Sequence, residues 1–270
     1  RWAQPWLLLP LAVLGYFLLA WLGLQAPRVN QQISLIWPAI AWLFVLIWRF
    51  GYLYVLAALI GVMGLTQWQG LSFAASVGLA CGNAFGPALG VWLLNRWHVR
   101  YQLDSPRDLL SFLFMVLAII TPITSLNGSL QLWAEGLIDA SQWLSTWYSW
   151  WFGDAFSLIL FSVPLLLVDR HQTQILRQAS FWLLGLCMVL LTVTLFWLPQ
   201  PQLNSPTFLI LPLLLLLWST YRFGMWATSV FATAFAVLAI LGTLAGYGLF
   251  SSANQTTDLY GLTSYLLLVS

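Results

Sequence analysis

Apolar residues fill this chain in long blocks, and short polar or Gly/Pro-containing breaks separate them. A helix needs roughly 17 to 25 such residues to cross a hydrocarbon core of about 30 Å, and breaks of this kind mark its ends. The pattern predicts ten helical spans, near 6–24, 33–48, 51–66, 71–94, 109–125, 143–168, 181–197, 207–221, 225–245 and from 261 onward. The expected fold class is all-α, a polytopic integral membrane helical bundle of about ten spans, with residues 1–270 as one membrane domain.

The arginines test that count. If Arg1 is cytoplasmic, alternation carries Arg49, Arg96, Arg100, Arg107, Arg170, Arg177 and Arg222 to the cytoplasmic side and leaves only Arg28 outside, so eight of nine lie inside. Arginine-rich connections resist translocation, and a wrong count would scatter them. Both ends are then expected in the cytoplasm. Glu135, Asp139 and Asp258 fall in outer loops, as do the turns GLTQWQG and LPQPQLNSP.

Composition agrees, with 61% hydrophobic and 6% charged residues against about 25% charged in an ordinary soluble domain. The first run, Trp6 to Leu24, is too long for a signal-peptide core, and no small-residue cleavage site follows it. The chain opens on arginine and stops within LTSYLLLVS, so it is expected to be a piece of a longer protein whose cytoplasmic output domain is absent from it. Cys81 and Cys187 lie in separate apolar runs without CxxC spacing, which predicts small buried hydrophobes rather than a disulfide or zinc site. The chain has no lysine for a retinal or pyridoxal Schiff base, and His98 and His171 sit in polar connections, away from any haem position in the membrane. No cofactor, metal or nucleic-acid partner is expected.

Two hairpins echo one another. WPAIAWLFVLIWRFGY (Trp37 to Tyr52) and LPLLLLLWSTYRFGM (Leu211 to Met225) each carry an early proline and end in aromatic-Arg-Phe-Gly. An even number of spans separates them, so this is either a parallel repeat or a turn that suits the interface twice: arginine at the headgroups, glycine free to turn. On both readings Arg49 and Arg222 are cytoplasmic turn anchors.

Few polar residues remain at membrane depth. Asp154 falls near the middle of the sixth span and Asn83 near the middle of the fourth. A carboxylate there costs about 2.5 to 3.5 kcal/mol to insert, so it should face the bundle interior and find a partner. Helical spacing sets Trp147, Trp150, Trp151, Ser157 and Phe161 on or beside the Asp154 face. Gly78, Gly82, Gly86 and Gly90 recur every fourth residue around Asn83 and allow close approach of another helix. Asp154 and Asn83 either glue helices together, satisfying each other or a carbonyl freed by Pro87 or Pro164, or line a pocket that binds a small ligand or changes protonation. Most of the 18 tryptophans are expected in the interface belt. The polar residues Thr121, Pro122, Thr124, Ser125 and Asn127 either line a vestibule or end a helix.

In order along the chain, WPAIAW (Trp37 to Trp42), WRFG (Trp48 to Gly51), GNAFGPALGVWLLNR (Gly82 to Arg96), WWFGDAFSLILFSVPLLL (Trp150 to Leu167) and YRFG from Tyr221 resemble the type-one membrane-associated sensor (MASE) domain family of bacterial signalling proteins. One departure is Ser157, where that family commonly has a glycine. The resemblance implies a sensory input domain of the bacterial inner membrane, multi-pass, usually homodimeric. Its missing cytoplasmic output would be a diguanylate cyclase, phosphodiesterase (cyclic di-GMP synthesis or breakdown) or histidine kinase. The ligand-binding or signal-coupling candidates are Trp37, Asn83, Trp150, Trp151 and Asp154, and the partners are the lipid bilayer, a small molecule or a neighbouring membrane protein.

Two other readings compete. A transporter or partner-binding membrane subunit would suit the repeat and the midplane polar groups, although only one carboxylate lies in the membrane. A membrane enzyme is disfavoured: HExxH, GxSxG and a second mid-depth carboxylate are all missing, so no catalysis is expected of this chain.

Overall fold

The long apolar blocks fold as helices because a backbone in hydrocarbon must satisfy its own N–H and C=O groups. In the computed structural model, residues 5–26, 28–29, 33–169, 172–198, 206–250 and 255–269 are described. The helices are α1 (Pro5–Gly23), α2 (Pro38–Phe50), α3 (Val55–Trp68), α4 (Phe73–Arg96), α5 (Pro106–Met115), α6 (Thr121–Ala134), α7 (Trp143–Leu167), α8 (Ala179–Phe196), α9 (Ile210–Phe223), α10 (Met225–Leu244) and α11 (Gln255–Val269). A π-helical turn, Val116–Ile120, joins α5 to α6 without a break. Among the described residues, six stretches are long and apolar enough to cross a membrane: α1, α4, the continuous Pro106–Ala134 helix, α7, α8 and α10. Shorter apolar helices cover Pro38–Phe50, Tyr52–Trp68 and Ile210–Phe223. Arg1, Arg170, His171 and residues 199–205 of the polar turn lie outside the described residues, as does the side chain of Arg28.

Four expectations are corrected. The second helix starts at Pro38, not near 33. Proline has no N–H to lose at a helix start and biases the residue before it toward extended backbone, and Trp37 sits at φ −130°, ψ 70°. Ahead of it, β1 (Arg28–Val29) pairs antiparallel with β2 (Ile33–Ser34), a short ribbon within the otherwise all-α fold. The fifth span does not end near 125. Thr121 bonds back to the Val116 carbonyl, five residues earlier, through both its N–H and its hydroxyl, so the Thr-Pro pair is absorbed and the helix continues to Ala134. Asp258 lies buried in the first turn of α11 rather than in a loop. Cys81 and Cys187 are exposed rather than buried; a small apolar thiol suits a lipid-facing helix surface as well as a core.

The chain divides within α7 into two compact units, Arg1–Ser162 and Val163–Ser270. In the first, α3 packs between α1 and α4, and α4 also packs on α2 and α6. The contact of α4 with α6 is the one its glycines predicted. Gly78 faces Gln131, Gly82 faces Asn127, Gly86 faces Thr124 and Gly90 faces Ile120, and a methyl group at any of them would overlap its neighbour. Asn127 Nδ2 also donates to the Gly78 carbonyl at 2.9 Å. Arginine residues gather at one end of this unit, where Trp48 Nε1 donates to Asn95 Oδ1 at 3.2 Å and the Arg49 guanidinium lies 5.6 Å from the Tyr101 ring centre. At another end, Ser72 Oγ donates to Glu135 at 2.6 Å, and Ile33 packs with Leu132 and Ile138.

In the second unit, α10 packs against α8, α9 and α11, with Phe181 stacked on Phe231 at 4.7 Å and Phe196 edge-on to Phe235 at 5.7 Å. The two Arg-Phe-Gly turns share a backbone: Gly51 has φ 109°, ψ 172° and Gly224 has φ 84°, ψ −178°. Both values lie where side-chain-bearing residues rarely go. Each arginine rests over the following phenylalanine, at 5.7 and 5.2 Å.

Candidate functional site

The extended segment 33–37 is the first piece of the site. Ser34, Leu35 and Ile36 are buried, so their polar backbone atoms need partners that no helix supplies. Ser34 Oγ accepts the Ile36 N–H at 3.2 Å and donates to the Ile36 carbonyl at 3.0 Å. The Trp37 N–H donates to Ser157 Oγ of α7 at 2.6 Å. Ser157, the departure from the family pattern, therefore ties the start of α2 to α7.

Gly153 explains why a glycine precedes Asp154. A Cβ at this position would stand 2.9 Å from the Ser34 carbonyl oxygen and 3.0 Å from Leu35 Cα. The segment thus lies directly on α7, and only a residue without a side chain allows that. The neighbouring Asp154 is roofed over and just 1% exposed.

Asp154 Oδ2 accepts a 2.6 Å hydrogen bond from Thr124 Oγ1 of α6. The Trp150 indole lies beside the carboxylate, and the Tyr16 phenol of α1 is near enough to feel its charge. Oδ1 has no hydrogen-bond partner among the described residues, and neither does the buried Trp37 Nε1. Asn83 Nδ2 donates to the Leu79 carbonyl at 2.9 Å, and Tyr16 OH makes a long 3.5 Å contact with Asn83 Oδ1. Asp154 and Asn83 thus bond to different partners rather than to each other.

A cavity of about 90 Å³ brings these groups together, lined by Trp37, Asn83, Trp150 and Asp154, and also by the buried Ser34 and the exposed Gln69. Four of the five expected binding residues share it. Trp151 does not: it stacks on Trp147 at 6.5 Å, and its Nε1 donates to the Leu117 carbonyl at 3.0 Å. In the π-helical turn that carbonyl would pair with the N–H of residue 122, which is proline and has none. Trp151 fills the vacancy.

Sequence reading missed Tyr16, Ser34 and Gln69. Tyr16 looks like one more aromatic in α1, and nothing local marks its depth. Among the described residues no group of three His, Cys, Asp or Glu could hold a metal ion.

Fold and site together define a multi-pass helical membrane protein with a largely apolar cavity, carrying a few polar groups, inside one of its units. The MASE1 family model matches residues 7–270, and the chain belongs to that family, the membrane sensor domains of signalling proteins. No curated protein and no solved structure matches it.

Proposed function

We propose that this chain is the sensory input domain of a bacterial inner-membrane signalling protein, and that its cue binds the Asp154 cavity. The observation that carries the reading is the unpartnered Asp154 oxygen in a chamber walled by Trp37, Asn83 and Trp150. A buried charge without a full set of partners is costly, and a ligand that completes the set gains that difference on binding. The cue enters past Gln69, from the outer side, with ten spans and both chain ends cytoplasmic; the grouping of arginines at one end of the first unit supports this sidedness.

Bound ligand favours one packing of the bundle to the extent that it binds that packing more tightly. The change passes through the final helix, in a homodimer, to a cytoplasmic diguanylate cyclase, phosphodiesterase or histidine kinase. The membrane domain itself catalyses nothing.

The test is output in the full-length protein. Asp154→Ala and Asn83→Ala should each abolish the response to the cue while membrane insertion stays intact. Unchanged responses in both variants would leave these residues as helix glue, and flux of the cue across proteoliposomes would make the chain a transporter.

A further inference from the structure

Chamber chemistry narrows the class of ligand. Among the described residues its lining includes no arginine, lysine or histidine, and the one charged group among them is Asp154, whose Oδ1 has no hydrogen-bond partner there. Asn83 Oδ1 is a second acceptor, held only by the long contact from Tyr16. The indole N–H of Trp37 makes no hydrogen bond of ordinary geometry among the described residues, with the Tyr16 phenol close by. Two acceptors, one of them charged, call for a cation with several N–H groups, and a primary ammonium has three. The indole faces of Trp37 and Trp150 suit the same charge, since aromatic rings attract cations. Trp37 Nε1 in turn favours an acceptor on the ligand. A phosphate or carboxylate would meet Asp154 as a like charge without a neutralising cation.

Size sets the other limit. A volume of about 90 Å³, at about 10 to 15 Å³ for each water held, is room for several waters or for a small organic molecule.

We infer that the cavity is a site for a small protonated amine carrying a hydroxyl or carbonyl acceptor, the class of ethanolamine. Its ammonium donates to Asp154 Oδ1 and Asn83 Oδ1, and its oxygen accepts from Trp37 Nε1. This rests on the sensor reading of the same cavity and adds the ligand's charge and size.

Ligand-observed NMR titration of the protein in nanodiscs tests it, with ethanolammonium against ethylene glycol, which replaces the charged end by a hydroxyl at nearly the same shape. Ethanolammonium should bind about tenfold more tightly, the margin of a charge-assisted hydrogen bond over a neutral one. Asp154→Asn should erase that margin, and Trp37→Phe should weaken ethanolammonium while keeping its preference over the glycol. The wild-type comparison decides by itself if Asp154→Asn fails to accumulate. Equal binding of the two probes, or a margin that survives in Asp154→Asn, overturns the amine and leaves the sensing pocket standing. Binding of neither probe also overturns it, with the chamber holding only water; the output of Asp154→Ala then judges the pocket separately.

Discussion

Asp154 is kept in the membrane by residues that do different work. Thr124 satisfies one oxygen, Ser157 holds the start of α2 beside it, and Gly153 lets the backbone of Ser34 and Leu35 close over it. Of these, Gly153 is the most sensitive to change. Gly153→Ala places a methyl group against backbone atoms that cannot rotate away, and overpacking of this kind costs about 1 to 3 kcal/mol. Thermal unfolding in detergent should show that loss, whereas Ala155→Gly, two residues on and on another face of α7, should not lift segment 33–37 from the helix. Asp154 could be singled out in the sequence because a lone carboxylate at mid-span is expensive. The reason for its preceding glycine could not, because the atoms that would clash with a side chain lie more than a hundred positions earlier in the chain.

Within elements, the helix from Pro106 to Ala134 carries the most information. The apolar blocks made the helices legible, and the glycine repeat of α4 announced the close approach of another helix, which is α6. What misled was the polar run from Thr121 to Asn127, open to reading as a vestibule lining or a span end near 125, and within it Pro122. Its lost hydrogen bond is instead supplied from α7 by Trp151, a remedy invisible to local pattern. The same blindness hid Thr124, which reads as a helix-ending polar residue until α7 brings Asp154 to it. Trp151→Phe should leave the Leu117 carbonyl unpaired and destabilise the fold by about 1 to 2 kcal/mol. Pro122→Ala restores a backbone N–H, so in that background the same substitution should cost much less. A double-mutant cycle on unfolding midpoints measures the difference, and equal costs in both backgrounds would refute the pairing.

For the whole molecule, sidedness is the property with the widest consequences, since it decides which compartment the cavity samples. In a background of Cys81→Ala and Cys187→Ala, a thiol introduced by Ser141→Cys should react with a polar maleimide on intact cells. One introduced by Gln102→Cys should react only after permeabilisation. The reverse pattern would turn the chamber toward the cytoplasm. The unsubstituted chain is informative too. Its two cysteines are exposed, one falls in each compact unit, and the sequence has no third. This stretch of chain therefore carries one spin-labelling site in each unit, and pulsed dipolar spectroscopy of it can read the separation of its two halves with and without ligand.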